Sequence, residues 1–333
     1  MTTNQTPSTA VQKTTTHAEQ GTPKAQLANY SQIDNPMQQS NTMPLPKTDH
    51  SASSFISRVQ SVAPDADLVS EEEPICPSTY GPVIIKELVK VKKFHDLTRK
   101  HVENVVATNK CGLILNGTPG LGKTHVVKEV LNGLGLTNLV DYVIVKGHLT
   151  GAKLYQILWK YREKGKVVVL DDCDTLFAKD LGLTILKAAL DPDVTTVSYE
   201  TTQVPIFNGK EVPNFSYEGT LIVCTNVKFD SGYQSQRTTH LKAIQSRANF
   251  WPVLMSKLEA KFANIFFMVV DQGYLDELLN NQQKRELLDF IWKHKGDMPR
   301  LDLRDPKRIA EQMQIDPVNW VAIAEVLIGV ANV

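Results

Sequence analysis

A layered α/β fold, with a parallel sheet covered by helices and a small all-helical region after it, is predicted here by three observations. The short run Gly112–Asn116 flows directly into Gly117-Thr118-Pro119-Gly120-Leu121-Gly122-Lys123-Thr124, a GxxxxGK[ST] pattern that sets a glycine-rich turn between a strand and a helix. Val167-Val168-Val169-Leu170 is continuously apolar, as a parallel strand buried on both faces requires, and it ends in Asp171-Asp172. Such runs alternate with stretches whose apolar residues recur at helical spacing, the pattern of a sheet joined by crossover helices.

Residues 1–80 differ from everything after them. Gln, Asn, Ser, Thr and Pro dominate and no period persists, so the segment cannot bury enough surface to offset its ordering entropy and reads as a disordered polar tail. Within it, Phe55-Ile56-Ser57-Arg58-Val59 and Glu71-Glu72-Glu73 read either as a docking segment for a protein and an acidic spacer or as plain linker.

The nucleotide-binding α/β core is expected over residues 81–272. It opens with a helix carrying Phe94, Leu97, Val102, Val105 and Val106, then the glycine-linked strand, and a helix with Val126, Val127, Val130 and Leu131. Next come the strand Tyr142–Val145, a helix with Leu154, Ile157, Leu158 and Tyr161, and the acid-ended strand. Asp174 reads as the N-cap of a helix with Leu176, Phe177, Leu181, Leu183 and Leu186. Asn208-Gly209 between β-forming residues signals a β-hairpin in an insert at about 195–216, just ahead of the strand Thr220–Asn226. Two segments compete for the fifth strand: Asn249-Phe250-Trp251-Pro252, a poor strand by composition, and Ile265–Val270, a better one. Residues 273–333 read as a helical lid, from the apolar positions Leu275, Leu278, Leu279, Leu287, Leu288, Ile291, Trp292, Trp320, Ile323, Val326 and Leu327.

Composition bounds the function. With 333 residues, 42% hydrophobic and 22% charged, the chain can bury a full core and a smaller second domain. Its 36 acidic and 36 basic side chains cancel, which excludes a global field drawing it to nucleic acid or membrane. A local excess of cations around the first helix, Lys86, Lys90, Lys92, Lys93, Arg99, Lys100 and Lys110, reads either as a nucleic-acid contact face or as a solvated helix face. Cys76, Cys111, Cys173 and Cys224 form no CxxC pair or zinc spacing and read as small buried hydrophobes in a reducing compartment. Without an apolar leader or an 18-residue apolar run, a soluble cytoplasmic protein with no membrane partner is expected.

The motifs specify phosphate chemistry. Backbone N–H groups of the Gly117–Thr124 loop and the following helix N-terminus suit phosphate oxygens, Lys123 the β- and γ-phosphates, and the Thr124 hydroxyl Mg²⁺, so ATP and Mg²⁺ are the expected cofactors. Acids at the carboxyl end of a buried parallel strand sit where such sheets bind ligands. In P-loop ATPases the first, here Asp171, holds the metal shell and the second, here Asp172, polarises the attacking water. Asn226, ending its strand, is suited to hydrogen-bond the water facing the γ-phosphate.

This succession of glycine-rich loop, Asp-Asp strand, Thr-Asn strand end and helical C-terminal portion resembles an AAA+ ATPase over roughly residues 85 to 320, and Leu154–Tyr199 is similar to AAA-type ATPases of bacteriophages. The resemblance implies a five-stranded parallel sheet with helices on both faces and a small helical lid, with Asn226 at the sensor-1 position and Arg304, near the start of the third lid helix, as sensor-2, Arg300 and Arg308 being alternatives. It also implies an arginine finger acting in trans. Ala243-Ile244-Gln245-Ser246-Arg247 resembles the Ser-Arg element of clamp loaders and nominates Arg247, with Lys261 the alternative if Ile265–Val270 is the fifth strand. A trans finger implies a ring or helical oligomer, a hexamer by family habit. Three roles follow: a motor or loader acting on DNA in phage replication, in the infected host's cytoplasm; a protein remodeller; or a nucleotide switch that binds partners through its tail. Asp172 departs from the glutamate most members carry.

Overall fold

The computed structural model describes residues 74–108, 112–193, 196–199, 205–229 and 235–330. A 3-10 turn at Pro77–Tyr80 leads into α1 (Pro82–Thr108), then β1 (Leu113–Gly117), α2 (Lys123–Gly133), β2 (Tyr142–Lys146), α3 (Gly151–Lys160) and β3 (Val167–Asp171). After a 3-10 turn at Asp174–Ala178 come α4 (Asp180–Ala189), the short strands β4 (Thr196–Ser198), β5 (Ile206–Phe207), β6 (Lys210–Glu211) and β7 (Asn214–Ser216), and β8 (Thr220–Thr225). The chain continues through α5 (Gln236–Arg247), β9 (Asn249–Val253), α6 (Leu258–Phe266) with a π turn at Phe267–Asp271, α7 (Asn281–His294), α8 (Arg304–Ile315) and α9 (Trp320–Leu327).

Five strands form one sheet in the order β2-β3-β8-β1-β9, parallel throughout. Successive side chains of a strand point to opposite faces, and two apolar clusters divide them accordingly. Leu113, Leu115, Val167, Val169 and Ile222 join residues of α1, α2, α6, α7 and α8 on one face, while Ile114, Val168, Leu170, Leu221 and Val223 join α3, α4 and α5 on the other. The central strands β3 and β8 are buried at every position, which explains their unbroken apolar text, at a gain of about 1.5–3 kcal/mol for each large apolar side chain buried.

The edge strand corrects the composition argument. Asn249–Val253 is the fifth strand, paired with β1 from Leu113↔Asn249 to Gly117↔Val253, and Pro252 is tolerated because the edge leaves its missing donor unneeded. Side chains pin the segment from both faces: Trp251 stacks on Phe94 and donates its indole N–H to Thr98 Oγ1 at 3.0 Å, while Phe250 meets Phe229 edge-on. Ile265–Val270 is helical instead, its apolar run filling a region buried all round, and a short apolar run cannot by itself separate a buried helix from a buried strand.

The hairpin forms as expected, with β5 and β6 antiparallel across Asn208 (φ 52) and Gly209 (φ 77), and β4 pairs with β7 beside it. Phe207 stacks flat on Trp159 of α3 at 4.2 Å. Three other expectations change. Tyr80, counted with the tail, is buried against Phe262, Phe266 and Trp292. Asp174 opens a 3-10 turn rather than capping α4, whose N-cap is Lys179. Cys173 and Cys224 are buried but Cys76 is exposed, and Cys111, like the rest of the proposed tail up to residue 73, lies outside the described residues. No helix among the described residues is long and apolar enough to cross a membrane.

Candidate functional site

The carboxyl ends of β1, β3 and β8 converge on a cavity of about 280 Å³, lined by Pro119–Thr124 together with Asp171, Asp172, Asn226 and Arg304. The loop that builds it depends on backbone conformations open to glycine, with Gly120 at φ 71 and Gly122 at φ 87. Gly122 is the N-cap of α2, so the positive end of that helix meets the loop.

Lys123 curls back over its own loop. Its Nζ donates to the carbonyls of Gly117 (2.8 Å) and Thr118 (2.9 Å) and to Asn226 Oδ1 (2.8 Å). Burial lowers its pKa from the ordinary lysine value, opposed by Cys224 and by the carboxylates of Asp172, Asp171 and Asp174. Asn226 uses its other end to donate to Asp172 Oδ1 at 2.8 Å, so lysine, asparagine and second acid form one chain of bonds. Asp172 reaches this position by leaving the strand with φ 53, left-handed for a non-glycine residue, while its N–H still donates to the Cys224 carbonyl at 3.0 Å.

The first acid faces another way. Asp171 accepts the Thr124 hydroxyl at 2.5 Å on Oδ1 and the Lys146 ammonium at 2.7 Å on Oδ2. The hydroxyl and carboxylate adjoin at the cavity wall as hard oxygen donors of the kind a magnesium ion takes alongside phosphate and water, and among the described residues no group of three His, Cys, Asp or Glu side chains could hold a metal unaided. Burial pushes the neighbouring Cys224 thiol up to about 12, which keeps it neutral beside them.

The start of α8 closes the cavity. Leu303 N–H donates to the Gly120 carbonyl at 3.0 Å, and a Cβ on Gly120 would lie 2.5 Å from Asp302 Cβ, so loop and helix pack without spare room. Of Arg300, Arg304 and Arg308, Arg304 lines this cavity; α8 is the second α-helix after residue 273, not the third. Arg247 lies apart at the end of α5, with Nε on Asp191 Oδ2 at 2.9 Å and a terminal nitrogen on the Ala243 carbonyl at 3.0 Å. Lys261, whose case rested on a strand that is helix, instead flanks its own chain's loop in a smaller adjoining cavity with Thr118, Pro119 and Arg304.

Sequence reasoning missed Lys146, His125, Tyr274 and Leu303 on the cavity wall and the bond from Thr225 Oγ1 to Asp174 Oδ1 at 2.7 Å, which fixes the strand end next to Asn226. Lys146 carried no usable local signal, because which strand lies beside the acid-ended one is set by the sheet order. Nothing local marked Tyr274, which follows the π turn and meets His125 edge-on.

Residues 113–195, spanning the loop, the Asp-Asp strand and α4, match the family model described as ATPase family associated with various cellular activities (AAA). This segment is similar to the AAA family. The chain is also 23% identical over 239 residues to an uncharacterized 36.7 kDa protein of the nrdC-mobD intergenic region of Enterobacteria phage T4, covering 71% of this chain and 73% of that protein. Among solved structures, domain III of the Thermotoga maritima replication initiation protein DnaA aligns with TM-score 0.43 at 12% identity, over 77% of this chain and 98% of that one. PCH-2 of C. elegans aligns with TM-score 0.38 at 14% identity, over 75% and 68% of the two chains. The matched segment contains the glycine-rich loop, the acid-ended strand and the helices between them.

Proposed function

We propose that the chain hydrolyses ATP with Mg²⁺ as an oligomeric AAA-type ATPase acting on DNA during phage replication. The observation that carries the hydrolytic part is the bond chain Lys123–Asn226–Asp172 facing a cavity whose opposite wall is the Thr124–Asp171 pair. Lys123 neutralises the β- and γ-phosphates, and Asn226 releases it to them and orients the water. Asp172 accepts that water's proton, and Arg304 contacts the nucleotide from the same chain. Thr124 and Asp171 would hold the magnesium ion, which supplies charge neutralisation at the phosphates when bound. Arg247 completes the site of the next subunit in a ring or helix, a hexamer by family habit, since it lies outside its own chain's cavity. The segment before residue 74 docks a protein partner, the chain from Tyr80 to residue 272 forms the ATPase core and 273–333 its lid, and the protein works in the infected host's cytoplasm.

The DNA reading draws on the pre-β8 hairpin with Ile206 and Lys210 exposed and on the exposed Lys86, Lys93 and Lys100 of α1, while the T4 relative supports the phage setting alone. The cation excess of α1 is smaller than its sequence suggests, because Lys90 pairs with Glu87, Lys92 with Asp271 and Arg99 with Glu129 and Asp96. A protein remodeller is disfavoured by the segment Lys146–Gly151, which has no aromatic grip and whose Leu149 is buried. A non-hydrolysing switch is disfavoured by Asp172 held on Asn226. ATPase rates measured with single-stranded DNA, duplex DNA and an unfolded polypeptide test the choice. Stimulation by DNA alone is expected; stimulation by the polypeptide alone favours the remodeller, and no turnover under any condition favours the switch.

A further inference from the structure

Lys146 has no part in the function proposed above, yet it faces the same cavity. β2 and β3 run parallel with Lys146 opposite Asp171, so the two side chains leave neighbouring strands at one level and on one side. Lys146 Nζ lies 2.7 Å from Asp171 Oδ2, and Oδ1 of that carboxylate is taken by Thr124 at 2.5 Å. Both oxygens that a divalent cation would seek are thus engaged by the chain itself. The two partners differ in freedom: the Asp171 side chain is 8% exposed and that of Lys146 62%, so the carboxylate is set in the sheet and the ammonium is the part able to leave. Gly147 turns the chain away directly after it, with φ 79 and open space where a Cβ would stand.

We propose that Lys146 is a resident counter-ion of Asp171 that withdraws when metal and triphosphate enter together, and then binds an oxygen of the terminal phosphate from the β2 side of the cavity. The inference rests on the ATPase reading of this site and adds to it a second phosphate-binding lysine and a cation competition. An ammonium and a divalent ion bonded to one carboxylate repel each other, so each weakens the other's hold on Asp171. Once it has left the carboxylate, the ammonium finds its strongest nearby anion in the terminal phosphate, whose three equatorial oxygens share the charge of the transition state. Lys146 therefore opposes metal entry and assists turnover, two effects of opposite sign that a purely structural ion pair does not produce.

The test compares wild type, Lys146→Met and Lys146→Arg in two measurements. One is binding of a fluorescent non-hydrolysable ATP analogue titrated with Mg²⁺, and the other is single-turnover ATP hydrolysis at saturating Mg²⁺. Melting temperatures in metal-free buffer show that the variants fold. For Lys146→Met the half-saturating Mg²⁺ concentration is expected to fall about 5-fold and the hydrolysis rate about 10-fold, magnitudes in the range of a half-exposed charge-assisted contact. Lys146→Arg keeps the charge and is expected to stay within about 2-fold of wild type in the Mg²⁺ titration. An unchanged or higher Mg²⁺ requirement in Lys146→Met, or a Lys146→Arg variant that behaves like it, overturns the competition. If wild type binds no nucleotide at any Mg²⁺ concentration, the ATPase reading itself fails and Lys146 falls with it; a wild type that binds normally confines any failure to Lys146.

Discussion

The cavity at the strand ends and the surroundings of Arg247 are built to opposite plans. In the cavity, polar side chains of the wall are already bonded to one another: Lys123 to Asn226 and to two loop carbonyls, Asn226 to Asp172, and Thr124 and Lys146 to Asp171. Arg247 touches none of these and is held at the end of α5 by Asp191 and by its own helix. On the proposed function, one chain supplies the parts that bind nucleotide and activate water, and the transition-state cation comes from elsewhere.

The largest effect expected from breaking this division is in Arg247→Ala, which should lose about 10³-fold in turnover while still binding ATP. Asp172→Asn keeps the shape and removes the base, for an expected loss of about 10²-fold or more. Mixing the two inactive proteins should restore activity, because some interfaces then pair an intact Asp172 with an intact Arg247. Co-assembled mixtures without any rescue would place Arg247 in its own chain's chemistry or outside chemistry altogether.

Next in size is Lys123→Ala. It removes the cavity's buried ammonium and should weaken ATP binding by about 2 to 4 kcal/mol, read by calorimetric titration. Unchanged affinity would mean that the loop is not the phosphate site.

A smaller effect concerns the floor of the loop. His95 of α1 is buried, sits 3.8 Å from where a Cβ on Gly122 would stand, and bonds Asn264 Oδ1 at 2.7 Å. Burial lowers its pKa below the ordinary 6.5, with Arg99 and His125 adding to the shift and the Asn264 bond and Glu129 opposing it. A base with a depressed folded-state pKa stabilises the fold above the unfolded value and loses that contribution as pH falls through it, so stability should decline below about pH 6.5. Urea midpoints at pH 7.5 and 5.5 should differ less in His95→Gln than in wild type; equal differences would show that His95 carries none of the decline. His101 is lowered in the same direction by burial and remains in both proteins.

The smallest effect separates chemistry from structure at Arg247. Its ion pair with Asp191 is partly exposed, at 37% and 22% of the two side chains, so Arg247→Ala should cost only about 0.2–1 kcal/mol of folding stability by chemical denaturation. A loss several times larger would attribute the turnover defect to damaged packing instead.

The comparison also divides what was legible before any coordinates. The loop Gly117–Thr124, the strand ending in Asp171-Asp172, Asn226 and the Asn208-Gly209 turn are local signals, because the backbone conformations and buried parallel strands they require restrict residue choice within a few positions. Those residues specified a parallel α/β class and the chemical character of the cavity, and the strand count followed from the family resemblance. Tertiary structure alone decided which segment became the fifth strand: Asn249–Val253 is a strand because β1 offers it an edge and Phe94, Thr98 and Phe229 receive its aromatic residues, none of which lies nearby in sequence. It likewise decided that Lys146 meets Asp171 and that, of Arg300, Arg304 and Arg308, it is Arg304 that lines the strand-end cavity. Those pairings depend on strand order and on where a distant helix docks, and neither is written in the spacing of the residues themselves.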